Sequence, residues 1–251
     1  IPSSDWEFFS TGRSKVGVRV RAMEMTDTLT LTIKDAEGYD VIDAYETSVR
    51  AYAAKALVAA SSSAEMKTLV VDMVNYGAAA QTNFSYKATD LANNQLTDAQ
   101  KALATADVVC ENNQIKGTNN IGANLALNDC ILFNIYFKGL KGKDMSTIHA
   151  KVTFTNWKGE AKEVTIPGTE FELYGTSGDQ YKVMVDDIVL ADAKCLVTVE
   201  LFEDGVAERI AYGSDSVESY ANRGSATAAA PLYNAIMKFA TSAKAYLLSR
   251  Q

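Results

Sequence analysis

"SVRAYA" at residues 48–53 and "SVESYA" at 216–221 are one hexapeptide with two substitutions, 168 positions apart. Each opens a helical pattern. In "ETSVRAYAAKALVAA" (46–60), Ser48 or Thr47 serves as N-cap, and Val49, Tyr52, Ala53, Ala56 and Leu57 fall on one face. Ser216 stands in the same place before "VESYANRG". Upstream of each hexapeptide the match continues. "WEFFSTGRSKVGVRVRAMEMTD" (6–27) overlays "FELYGTSGDQYKVMVDDIVLAD" (171–192) without a gap, with Glu7, Thr11, Val18, Val20 and Asp27 on Glu172, Thr176, Val183, Val185 and Asp192. Trp6 falls on Phe171, Phe9 on Tyr174, Met23 on Ile188 and Met25 on Leu190. Downstream, "MVNYGAAAQTNF" (73–84) matches "IMKFATSAKAYL" (236–247) in character. Three matches in one order predict a duplicated unit: strand, strand, hairpin, short helix, long helix.

The remaining pattern fits this frame. "VGVRVRAM" from Val16 alternates as a half-buried strand, and "TLTLTIKDAEGYDVIDAY" reads as a hairpin turning at Asp35–Gly38. Ser62 and Glu65 form a capping box for a long helix with Leu69, Met73, Tyr76, Gly77, Ala80 and Phe84 at helical spacing; Thr97 and Gln100 form a second one, for a short helix ending near Ala104. "ANLALND", "CILFNIYF", "HAKVTFTNW", "AKEVTI", "EFELYG", "YKVMVDD", "CLVTVELF" and "VAERIAY" read as strands. Turn signals separate them at Asn128-Asp129, Lys141-Gly142, Lys158-Gly159, Pro167-Gly168, Ser177-Gly178 and Asp204-Gly205. Pro231 sits in the first turn of a last helix carrying Leu232, Ile236, Phe239, Ala240, Ala243 and Leu247. The expected fold class is α+β: immunoglobulin-like antiparallel β-sandwich elements with packed helical hairpins, internally duplicated. The expected segments are 1–107, a strand-poor first copy, and 108–251, a complete second copy. The missing strands of the first copy come from upstream sequence, from the sheet of 121–212, or from another chain.

The chain has 251 residues, 47% apolar and 22% charged, with formal net charge −7. This acidity argues against nucleic acid or anionic membrane as a partner, and the longest apolar runs fall far short of a membrane span. Cys110, Cys130 and Cys195 form no CxxC and read as buried thiols, with a Cys110–Cys130 disulfide left open.

Chemistry-bearing patterns are sparse. The lone His149 lies in a strand, with no nucleophile elbow to serve. One His and three scattered Cys give no zinc spacing. Asp186 and Asp187 are strand neighbours and point to opposite faces, and Asp40 and Asp43 flank a hairpin. No nucleotide-binding glycine loop occurs. No cofactor is therefore expected. Asp35, Glu37 and Asp40 gather in one turn and are candidate calcium ligands, or ordinary hairpin polar residues. Gly77-Ala78-Ala79-Ala80 reads as close packing, and the lysines of "KGLKGK" (138–143) as a solvated loop. Exposed aromatic rings give the best binding signal, since sugars stack on them. Trp157 in "TNWKGE", with Tyr136, Tyr174 and Tyr181, is the candidate ligand platform; a strand-end Trp serves equally as sandwich core.

The phrases "RAMEMTDTLTLTIKDAEG", "SVRAYA", "LVVDMVNYGAAAQTNFSY" and "ANLALNDCILFNIYF" resemble a repeated module of secreted and cell-surface proteins of anaerobic Gram-positive gut bacteria. "NYGAAAQ" (75–81) carries the most specific part, and the second copy departs from it with "KFATSAK". The resemblance implies an extracellular, non-catalytic module for adhesion or ligand display, with a glycan or protein ligand. A carbohydrate-binding module and a host-protein adhesin, such as an immunoglobulin binder, are the alternative expectations.

Overall fold

The computed structural model describes residues 7–8, 14–15, 17–127, 131–186 and 188–251. Trp6, Phe9, Thr11, Val16, the Asn128-Asp129 turn signal, Cys130 and Asp187 lie outside them. In chain order, β1 (Glu7–Phe8) and β2 (Ser14–Lys15) pair antiparallel. A hairpin of β3 (Leu29–Leu31) and β4 (Tyr45–Thr47) leads into α1 (Val49–Val58), α2 (Ala64–Asn83) and the one-turn α3 (Asp98–Lys101). Nine strands follow: β5 (Ile115–Lys116), β6 (Asn120–Leu127), β7 (Ile131–Phe137), β8 (Ile148–Thr155), β9 (Ala161–Pro167), β10 (Glu172–Tyr174), β11 (Gln180–Val185), β12 (Val197–Glu203) and β13 (Ala211–Asp215). The chain closes on α4 (Val217–Gly224) and α5 (Ala230–Leu248).

The protein is a mixed α/β fold with antiparallel sheets. One sheet has the order β10-β11-β7-β6, the other β5-β13-β12-β8-β9. Strict alternation decides their packing. Phe133, Ile135 and Phe137 of β7 and Val183 and Val185 of β11 point one way; Ile148, Ala150, Val152 and Phe154 of β8 and Val197, Val199 and Leu201 of β12 point back at them. These side chains form one buried core, so the two sheets make a sandwich-like pair. Each fully buried residue of this size stabilises the fold by about 1.5–3 kcal/mol.

A second core belongs to the helices. It joins Met25, Ala53, Leu57, Val70, Val71 and Val74 to Ala193, Val217, Ala221, Leu232, Ile236 and Met237. Here α2 packs along α5, and the ring of Tyr76 stacks on that of Phe239 at 5.9 Å. Burial pushes the Tyr76 phenol up to about 12.

The two hairpins share geometry in detail. Leu29, Thr30 and Leu31 face Thr47, Glu46 and Tyr45, while Val197, Thr198 and Val199 face Asp215, Ser214 and Gly213; every position differs by 168. Ser48 Oγ accepts from Ala51 N–H and Ser216 Oγ from Ser219 N–H, both at 3.0 Å. Arg50 N–H donates to the Met25 carbonyl at 2.9 Å, and Glu218 N–H to that of Ala193 at 2.8 Å. Short 3-10 turns at Ala22–Glu24 and Leu190–Asp192 precede each hairpin.

Local expectations fail where tertiary partners decide. Residues 17–21 form no strand, and Val18 is exposed. The matched stretch in β11 pairs on both edges, with β10 and β7, whereas among the described residues no strand plays the part of β7 beside 17–21. Residues 206–210 form a turn, and the strand begins at Ala211. Ser62 closes a turn onto the Ala59 carbonyl, so Ser63 caps α2 instead. Tyr52 and Phe84 face outward, and the short helix stops at Lys101.

"NYGAAAQ" holds the helix to its surroundings. A Cβ on Gly77 would lie 2.5 Å from Met25 Sδ and 3.1 Å from the Ala22 carbonyl oxygen. Gln81 is fully buried; its Nε2 donates to the Asp90 carbonyl (3.0 Å) and Thr26 Oγ1 (3.3 Å), and its Oε1 accepts from Ala92 N–H (2.7 Å). Asn75 Oδ1 accepts from Asn93 Nδ2 at 2.9 Å. Gly77→Val must displace the turn at 22–25, and overpacking of this kind costs about 1–3 kcal/mol. In urea denaturation followed by circular dichroism, Gly77→Val lowers the midpoint; an exposed helical glycine would instead stabilise on gaining a side chain.

Candidate functional site

The outer face of the four-stranded sheet carries the main aromatic cluster. On β7, Tyr136 alternates with the buried Ile135 and Phe137 and so points outward, opposite Lys182 of β11. On β10, Glu172 faces Lys182, and Tyr174 faces Gln180. The Tyr136 and Tyr174 rings therefore meet diagonally across β11, with centroids 4.5 Å apart and planes tilted by 55°. Tyr174 is 49% exposed, whereas Tyr136 retains 9%. Burial, and then the Tyr174 phenol beside it, push the Tyr136 hydroxyl up, against a hydrogen bond with Asn124. Tyr220 of α4 and Glu172 act on Tyr136 in the same upward direction.

Polar groups frame these rings. Lys182 Nζ pairs with Glu172. Asn134 Nδ2 donates to Asn124 Oδ1 at 2.9 Å across β6 and β7. Asn134 is 3% exposed, and its Oδ1 has no hydrogen-bond partner among the described residues. The arrangement offers an aromatic surface edged by amides and a carboxylate–ammonium pair, suited to an apolar ring face with hydroxyl edges.

The other sequence candidates lie elsewhere. Tyr181 is half-buried on the inner face, against the sandwich core. Trp157 belongs to the β8–β9 turn, where its backbone N–H donates to the buried Asp192 carboxylate at 2.6 Å. The Lys158 ammonium stands 5.4 Å from the Trp157 ring centre. Of the four aromatic candidates, the structure brings Tyr136 and Tyr174 together. Tyr220 and Asn124 complete the cluster; Tyr220 lies inside the repeated hexapeptide, but nothing in the sequence connects it with Tyr136.

The carboxylates of the first hairpin do not converge. Asp35 Oδ1 accepts the N–H groups of Glu37 (3.1 Å) and Tyr39 (2.8 Å), and Asp40 pairs with Lys34 at 2.8 Å. Among the described residues, no three His, Cys, Asp or Glu side chains are placed to hold a metal ion. His149 stacks on Phe202 at 5.6 Å, with Asp204 3.9 Å from its Nδ1.

Two grooves flank the start of α5. One, of about 650 Å³, is lined by Val108, Cys110, Asn222, Pro231, Tyr233 and Asn234. The other, about 550 Å³, runs between α2 and α5 past Asn75, Ala79, Leu91 and Lys238. Both are open channels with few converging charges. Among the described residues, no helix is long and apolar enough to cross a membrane. Compared with known proteins, the chain matches no family model, no curated protein and no solved structure.

Cys110 and Cys195 are free thiols. Burial, followed by the neighbouring Asp192 carboxylate, pushes the Cys195 thiol up to about 11. Only the thiolate is nucleophilic, so at pH 8 the reactive fraction of Cys195 is on the order of one in a thousand. Iodoacetamide labelling read by mass spectrometry is expected to be roughly a hundredfold slower at Cys195 in the native than in the unfolded chain. The native rate should go on climbing past pH 10, and a half-maximal rate at about pH 8.5–9 would show an unperturbed thiol.

Proposed function

We propose that the chain is one strand–strand–hairpin–helix–helix unit written twice, the second copy completed as an immunoglobulin-like sandwich. It acts as a non-catalytic contact module of a bacterial secreted or cell-surface protein, for adhesion or ligand display. The duplication is supported by the hairpin registers, the serine caps and the Arg50–Met25 and Glu218–Ala193 hydrogen bonds, each repeated at a distance of 168 residues. The 3-10 turns obey the same spacing, so the gapless overlay of 6–27 on 171–192, offset by 165, slips three residues before the turn. The surface setting rests on the sequence resemblance.

The observation that carries the contact role is Tyr174, half-exposed and packed on the buried Tyr136 ring, on the outer side of a sheet whose other face is sealed. That pair, with Asn124, Glu172 and Lys182 at its rim, favours a carbohydrate ring as ligand. Stacking of a sugar face on Tyr174 needs little rearrangement, because about half of that side chain already faces solvent. Removing the ring by Tyr174→Ala should weaken retention on a glycan affinity gel by roughly tenfold, equivalent to about 1.4 kcal/mol. Thermal melting should be little changed, and Trp157→Ala, on the other sheet, should leave retention intact. Glycan binding lost with Trp157→Ala and kept in Tyr174→Ala would move the site to the β8–β9 turn.

A further inference from the structure

The two hairpins share a register but not a setting. The outer edge of β12 is occupied by β8, with Thr198 facing Thr153, Val199 facing Val152 and Leu201 facing Ala150. Val197, Val199 and Leu201, flanked by β8 and covered by β7 and β11 of the facing sheet, are at most 1% exposed. The positions 168 residues earlier are Leu29, Leu31 and Ile33. Leu31 is 40% exposed, and Tyr39, Val41, Ile42 and Tyr45 are exposed along the same hairpin. Among the described residues, β3 pairs with β4 alone.

Backbone direction identifies the open groups. The Ile33 carbonyl accepts from Val41 N–H at 2.7 Å, inside the hairpin; the Leu201 carbonyl, 168 residues on, accepts from Ile210 N–H at 2.8 Å, inside the second hairpin. In an antiparallel ladder, alternate residues direct both backbone groups to opposite edges. Odd positions of β3 therefore serve the hairpin. Thr30 directs its own to the open edge, as Thr198 does toward β8, and Thr32 follows just past the end of β3. Free edges are normally guarded by charge, proline or a bulge. Here the two edge residues are threonines, and Lys34 is turned back onto Asp40 and the Gly38 carbonyl.

We propose that the open edge of β3 receives one antiparallel strand from another polypeptide segment, seated on it as β8 is seated on β12. The second hairpin prescribes the chemistry of the occupant. Opposite Leu31 it carries a branched apolar residue, as Val152 is to Val199, and opposite Ile33 a small one, as Ala150 is to Leu201. Opposite Thr32 it needs no counter-charge, unlike Lys151 against Glu200. The occupant is thus an extended, alternating apolar and polar segment recognised mainly through its backbone. Its side chains extend sideways the apolar row that the first hairpin presents.

The probe is a synthetic peptide of residues 146–156, "STIHAKVTFTN", added to the intact chain. Amide hydrogen exchange is expected to slow by at least about tenfold over residues 29–33 with saturable dependence on peptide, since a ladder hydrogen bond must open before exchange. A scrambled peptide should give no protection. Thr30→Pro removes one edge N–H at a position where an edge strand tolerates proline. It should abolish protection with unchanged melting. Leu31→Lys should weaken binding without touching the backbone, and it keeps the test sound if the proline variant misfolds. Absence of saturable protection on β3 overturns the proposal. So does protection of β12, which would mean exchange with the chain's own β8. Concentration-dependent protection without peptide would also overturn it, showing self-pairing of the chain.

Discussion

The contact between α2 and α5 is the constraint on which the rest of the molecule depends. Each long helix takes a 3-10 turn and a short helix on its own flank, and the pair meets through Tyr76 and Phe239. The turns enter this core by complementary volumes. Met25 reaches into the first half where Gly77 leaves room, while the second half places Ala193 and Ala240 in the corresponding positions of the same core. A close-packed interior tolerates a long side chain only where its neighbour gives way. The glycine of "NYGAAAQ" is therefore explained by Met25, and the second half, with Ala193 in its turn, carries Ala240 at the matching helix position of the same core.

From that shared base the two halves diverge. In the second, β12 and β13 continue into a five-stranded sheet whose inner face is covered by β7 and β11. In the first, the same hairpin register is present, no strand among the described residues covers it, and apolar side chains remain on the outside. Matching local patterns thus produce different surfaces, because a strand's burial is settled by what pairs with it and what faces it. The helices do not share this asymmetry, since they bury their stripes against each other.

This difference marks what was legible in the sequence. Helix caps depend on residues a few positions apart, and Ser48, Thr97, Ser216 and Pro231 could be read directly. Period-2 alternation located β7, β8, β11 and β12 for the same reason. Residues 17–21 alternate equally well yet form no strand, because pairing is a non-local property. Gln81 was visible only as part of a motif; its role depends on Ala92 and Asp90, which return to it through an intervening loop. Tyr136 and Tyr174 were both recognisable as aromatic residues near turns. Their meeting required the register of β11 between them, and the same register sent Tyr181 to the opposite face. Trp157 looked equivalent to them in sequence, but Asp192, from a distant turn, holds its backbone against another part of the fold.

The buried polar residues show where specificity has been placed. Asp72 accepts from the backbone N–H and hydroxyl of Thr105, fixing the end of the long connector. Asp215 is 2% exposed and receives Arg223 from α4 together with Gln114 from the segment before β5. Asn113 is gripped by Ser216 and Ser219, and Asn222 holds the Cys110 carbonyl. A buried polar group left without its partner costs more than the bond itself contributes, so these contacts tie each connector to one position on the helices. The Asn134 Oδ1 atom departs from that pattern, and it lies beneath the tyrosine face rather than along a connector. Rigid joints inside, and aromatic and apolar groups turned outward on the two sheet surfaces, fit the contact role proposed above. A surface that must keep its shape while binding gains from having its polar chemistry already committed to the frame beneath it.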